Sequence, residues 1–156
     1  KVLKDRVAQI SCGGDHSLAL LKDGNVMSWG WAEKGQLGRG EETVSKISQA
    51  TPEIIEYFRN NNIKVKSVVG GGYGHSLAVS EEGKLYGWGW AEFFQLRDIV
   101  GKRKIEVSPR QISTDQMKVK KATKGSFKHS VIMTNDGKVF AFGNNFYNQV
   151  KGPTQE

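Results

Sequence analysis

The sequence predicts an all-β chain of β-propeller blades: four-stranded antiparallel sheets, about three repeats of a larger propeller. Three observations predict it. One pattern occurs three times with fixed internal offsets. Each copy carries an acidic residue and a glycine between two β-prone runs, a strong hairpin signal because glycine tolerates the positive φ of such turns. No helical period runs beyond about two turns.

The first copy reads Gly13-Gly14-Asp15-His16-Ser17, then Asp23-Gly24, Trp29-Gly30 and Gln36-Leu37. The second reads Gly72-Tyr73-Gly74-His75-Ser76, then Glu82-Gly83, Trp88-Gly89 and Gln95-Leu96. The third reads Gly125-Ser126-Phe127-Lys128-His129-Ser130, then Asp136-Gly137, Phe142-Gly143 and Gln149-Val150. From each His the turn glycine is 8 residues on, the glycine after the aromatic 14 on, and the Gln 20 on.

Each unit opens on a short β-prone run, at residues 7–12, 65–69 and 119–123. A glycine corner leads to a second run that starts at the His. The third run ends in the aromatic-Gly pair. A fourth strand follows Pro52 and Pro109, since proline is tolerated on an edge strand where no ladder donor is missed. The three prolines, Pro52, Pro109 and Pro153, all follow the Gln-Leu or Gln-Val corner and phase the units at about 1–51, 52–108 and 109–152, with 153–156 starting the next. The best helix candidate is 53–60, stopped by Asn60-Asn61-Asn62.

Gly-x-x-His-Ser-Leu-Ala-Leu, Asp-Gly, Trp-Gly and Gly35-Gln36-Leu37-Gly38 together resemble the regulator-of-chromosome-condensation repeat family, over almost the whole chain. Copy two departs at Phe94 and Arg97, which replace the glycines flanking Gln-Leu. Copy three has Asn148 and Lys151 there, and Phe142 for Trp. The resemblance implies a seven-bladed propeller, of which three copies are a part. Seven units of about 50 residues would need roughly 350, against 156 here. The remaining blades are expected from the parent chain or from another chain.

Net charge is +7. A basic balance is compatible with nucleic acid or an acidic partner, but most of the charge is scattered and fits solvated faces and edge protection. The single cysteine, Cys12, allows no intrachain disulfide and no cysteine-based metal site. No signal peptide or membrane-spanning run is visible. The lone cysteine fits a reducing compartment, and an intracellular location is expected, cytoplasmic or nuclear, with an organelle left open. Gly70-Gly71-Gly72 lacks the Gly-Lys-Ser/Thr ending of a phosphate loop.

His16, His75 and His129 are read as structural, each holding backbone carbonyls by its ring N–H beside a glycine corner. Trp29, Trp88 and Phe142 are read as packing between blades. Trp31 and Trp90 fall where the strand leaves for the corner, and are candidate surface contacts because aromatics enrich interface hot spots. Lys102, Arg103 and Lys104 join them, on the variable segment 97–108, as does the polar segment 39–50. Light sensing within this family goes with a Trp-Arg sequence that is absent here.

No catalytic, cofactor or metal site is expected. The sequence reads as a non-enzymatic protein-protein interaction scaffold within a larger protein or complex. The resemblance implies an alternative, guanine-nucleotide exchange on a Ran-type small GTPase, which depends on a propeller face and an inserted wedge hairpin that matches no segment here. Binding to chromatin or nucleic acid rests on the charge alone.

Overall fold

The structure is a computed structural model that describes residues 6–96, 104–124 and 128–150. Among the described residues, eleven strands and two short helices run β1 Val7–Cys12, β2 His16–Leu21, β3 Val26–Trp31, α1 Glu41–Val44, β4 Ser48–Ile54, α2 Glu56–Asn60, β5 Val65–Gly70, β6 His75–Ser80, β7 Leu85–Trp90, β8 Ile105–Ile112, β9 Val119–Lys124, β10 His129–Thr134 and β11 Val139–Gly143. They form three antiparallel meanders, β1-β2-β3-β4, β5-β6-β7-β8 and, among the described residues, β9-β10-β11.

The fixed sequence offsets become fixed registers. His16 lies opposite Gly30, His75 opposite Gly89 and His129 opposite Gly143. The hairpins turn at Gly24, Gly83 and Gly137, whose φ values of 83°, 82° and 85° lie in the left-handed region. The first two turns also touch the next sheet. Val65 N–H donates to Gly24 O at 3.1 Å and Val119 N–H to Gly83 O at 2.8 Å.

The sheets are offset from the units counted along the sequence. Pro52 and Pro109, which open units two and three there, lie inside β4 and β8, the outer strands of the first and second sheets. Both sit where the register slips opposite Trp29 and Trp88. A bulge on an edge strand leaves no ladder bond for proline to break. The helix expected at 53–60 starts at Glu56, because residues 53 and 54 stay in β4.

The core is two apolar layers between sheets. Leu18, Leu20, Val68, Ala78 and Trp88 fill the first, with Ile55 and Phe58 inserted from the α2 segment. Leu77, Val79, Leu96, Ile112 and Ile132 fill the second, with Phe140 and Phe142 packed against it. Phe58 meets Tyr86 and Trp88 edge-on at 5.6 and 5.7 Å, an arrangement aromatic quadrupoles favour. No helix among the described residues is long and apolar enough to cross a membrane.

The outer ends of the stack are less covered. Phe146 and Tyr147, on the corner after β11, are 80% and 81% exposed. A repeat stack without polar caps is prone to associate. The isolated 156-residue chain is therefore expected to sediment as oligomers, and Phe146→Ser with Tyr147→Ser to shift it toward monomer. A monodisperse wild-type monomer would show that these rings are not an association surface.

Candidate functional site

The three histidines recur at the edges where one sheet meets the next, and two of them build joints. His16 Nε2 lies 2.9 Å from Ser76 Oγ of the next sheet. Ser76 donates its hydroxyl proton to Gln36 O at 2.9 Å. A hydroxyl has one proton, so His16 Nε2 carries the proton of its contact with Ser76. Trp88 Nε1 donates to the same Gln36 oxygen at 2.9 Å. The joint repeats one sheet on. His75 Nε2 lies 3.2 Å from Ser130 Oγ, which donates to Gln95 O at 3.0 Å. Copy three has Phe142 opposite Ser130, so Gln95 O has no indole donor there. The ring N–H thus reaches a carbonyl through a serine of the neighbouring sheet and not directly. That link crosses 60 residues in the first joint and 55 in the second, which leaves no local spacing to read.

Burial pushes His75 down to about 3, with electrostatic interaction with the His16 and His129 rings adding to the effect. It stays neutral at physiological pH. A methyl group on Gly71 would sit 2.1 Å from the His75 ring, so glycine is needed there for close approach. Among the described residues, no group of three or more His, Cys, Asp or Glu is placed to hold a metal ion.

The aromatic repeat positions differ in burial. Trp88 is 0% exposed, whereas Trp29 and Phe142 are only half-buried. Trp88 lies on Gly38 of the preceding corner. No such corner precedes Trp29 among the described residues.

The joints fix a second layer at the end of the sheets where the corners emerge. Trp31 N–H donates to Asp15 O at 2.7 Å, Trp90 N–H to Gly74 O at 2.8 Å and Asn144 N–H to Lys128 O at 2.9 Å. The glutamine side chains brace the corners. Gln36 Oε1 accepts from Lys34 N–H, Gln95 Oε1 from Phe93 N–H and Gln149 Oε1 from Tyr147 N–H, at 2.8–2.9 Å.

On that layer Trp90 is buried, 8% exposed, and is not the surface contact expected of it, because Tyr73 and Phe93 cover it at 4.7 and 5.5 Å, centroid to centroid. Lys104 arrives by register: Trp90 pairs with Ile105, and Ala91 N–H donates to Lys104 O. Lys104 Nζ then meets Glu92 Oε1 at 2.6 Å. This contact, together with the charges of Lys128 and Lys34, holds the Glu92 carboxyl below the usual range. Trp31 is half-buried, donates Nε1–H to Glu33 at 2.9 Å and lies beside Gly74 of the next sheet. Lys102 and Arg103 lie outside the described residues.

Sequence reasoning misses two members of this surface, Tyr73 and Phe93, because their partners lie across a turn or across a joint. Phe94 carries a signal, an aromatic in place of a glycine. It keeps the glycine's backbone, φ 59° against 71° at Gly35, and is 67% exposed. A bulky side chain in that region is uncommon and costs of order 1–3 kcal/mol.

Segment 39–50 is more ordered than a polar loop. It contains α1 and the start of β4. The Arg39 side chain is 6% exposed and pairs with Glu53 at 3.1 Å. An open groove of ≈ 820 Å³ runs along this outer rim, lined by charges of both signs, among them Lys46, Glu42 and Glu56.

The repeat pattern has counterparts in known proteins. The family model described as the regulator of chromosome condensation (RCC1) repeat matches residues 7–36, 65–95 and 124–149, and a second of the same description matches 23–79. The chain is 38% identical to the human probable E3 ubiquitin-protein ligase HERC6 over 97% of its length and 14% of the relative's. It is 32% identical to the ultraviolet-B receptor UVR8 of Arabidopsis thaliana, covering 93% of this chain and 31% of the receptor. Among solved structures it is similar to Prp20p of Saccharomyces cerevisiae, a protein characterised for binding Gsp1p and histones. That match has a TM-score of 0.76 and 29% identity over 92% of this chain and 34% of the other. The chain thus spans about a third or less of each of these proteins.

Proposed function

This chain belongs to the RCC1 repeat family, and from that premise we propose that it is a non-enzymatic propeller scaffold that docks a protein partner through the face carrying Trp31, Trp90 and Lys104. The observation that carries this reading is Phe94. An aromatic side chain is held exposed in a strained backbone conformation, next to a cluster of rings, on a corner braced by Gln95. Strain of this kind collects at functional positions, and interfaces draw their energy from a few aromatic and cationic residues. Relatives of this fold include a protein that binds Gsp1p and histones, which supports a protein partner.

The chain's basic charge gives a second reading, retention on nucleic acid, and the family gives a third, nucleotide exchange on a GTPase. They separate in one set of measurements. Phe94→Ala with Lys104→Glu should remove a cross-linked protein partner and leave the unfolding free energy from urea melts within about 0.5 kcal/mol of wild type, the usual range for surface changes. Labelled GDP on a Ran-type GTPase should be released no faster with the chain present. Rapid release at catalytic amounts would make the chain an exchange factor. Tight DNA binding that falls steeply with salt would make it a nucleic-acid binder.

A further inference from the structure

The Lys128 side chain enters the second sheet's aromatic cluster from the third sheet. Its Nζ is 3.9 Å from the Phe93 ring centroid, 5.1 Å from Tyr73 and 5.4 Å from Trp90. Three rings thus surround one ammonium within the distance at which ring quadrupoles attract cations. The equivalent positions on the joint between the first and second sheets are Gly14, Trp31 and Lys34, with Gly74 in the place of Lys128. The cage is a property of one joint, not of the repeat.

We propose that Tyr73, Trp90 and Phe93 form a binding cage for a methylated lysine side chain of a partner polypeptide, with Lys128 as its resident plug. The chain's own ammonium shows what the cage accepts. Trp90 is nearly buried as the floor, while Tyr73 is 42% exposed and Phe93 half-buried, so the rim faces solvent. Glu92, whose carboxyl is held below the usual range mainly by Lys104, adds negative charge at the edge. The proposal rests on the docking face described above and names the chemistry of its partner.

Methylation follows from competition. An unmodified lysine from a partner is chemically the same as Lys128, and Lys128 is tethered, with an effective concentration a free ligand does not match. A displacing cation must gain more than lysine does. Methyl groups weaken hydration of the ammonium and add contact area on the rings, and aromatic cages are the recurring solution for such groups. Phe94, exposed beside Phe93, offers apolar surface for the residues that flank the modified lysine.

The test is titration of the 156-residue chain with Nα-acetyl-trimethyl-lysine methylamide and with a short peptide carrying one trimethyl-lysine, followed by tryptophan fluorescence. Lys128→Ala opens the cage and is expected to bind both probes at least tenfold more tightly than wild type. Unmodified lysine amide should bind at least tenfold more weakly. Tyr73→Ala and Phe93→Ala in the Lys128→Ala background should each lose about tenfold, and both residues are partly exposed, so the fold is expected to tolerate their truncation better than that of the buried Trp90. No saturable signal with Lys128→Ala, or binding indifferent to Phe93→Ala, overturns the cage. Choline binding as tightly as the peptide also overturns the proposal, because the occupant would then be a free small cation. A protein partner that the chain retains equally with and without methylation would overturn it and leave the scaffold reading standing.

Discussion

Trp88→Ala is expected to destabilise the chain by about 3–5 kcal/mol, the range for removing a fully buried large aromatic. Three contacts are lost together. The indole is 0% exposed and meets Phe58 at 5.7 Å. It lies on Gly38, where an added methyl group would approach it to 2.7 Å, so the two sheets are in contact through it. Its Nε1–H is one of two donors to Gln36 O, and Ser76 keeps that oxygen satisfied after the change. The deletion therefore costs mainly packing. Trp29→Ala, at the equivalent position of the first sheet, should cost less than half as much because the ring is already partly in water. Urea melts of the two variants measure the difference. Equal losses would mean that the second sheet's indole is held no more tightly than the first sheet's.

That contrast also shows what the sequence could and could not reveal. The fold was legible because a blade is specified locally. The offset of 14 residues from His75 to Gly89 places them opposite each other, and the Glu82-Gly83 turn between them determines the register. The short α1 was not legible, since four residues carry no period. Burial at Trp29 depends on what lies beside the sheet, and the pattern within a repeat is the same as at Trp88. The joints were only half legible. His75 and Ser130 are each conspicuous in their own copies, but their pairing spans 55 residues. The cage has the same difficulty in stronger form. Tyr73 and Phe93 stand where copy one has Gly14 and Lys34, Lys128 stands where copies one and two have Asp15 and Gly74, and only folding brings the three together.

The chain is expected to lose stability as pH falls below about 6.5, and His75 is the group responsible. In the unfolded chain this imidazole takes up a proton near its ordinary value of 6.5, whereas in the fold burial holds it down to about 3. Between those values the unfolded state binds the extra proton, so stability rises with pH across the window and is lost as pH drops through it. A one-proton difference between the two states is worth about 1.4 kcal/mol over each pH step of one. Acidification from about pH 6.5 to about 4.5 should therefore cost about 2 kcal/mol from this site alone. The buried neighbours explain why the folded site resists protonation. Nε2–H already donates to Ser130 Oγ, and a second proton would place a charge among apolar side chains, near His16 and His129. Carboxylates lose stability in the same direction, but Asp136, held down to about 2 by Thr134 and Lys138, acts mostly below this window. His75→Gln keeps an amide donor for Ser130 and removes the titration. Its stability at neutral pH should be lower, and its pH slope near about 5.5 should be flatter than wild type by close to one proton. Urea midpoints at several pH values for both chains give the two slopes, and identical slopes would mean that His75 is already protonated in the folded joint.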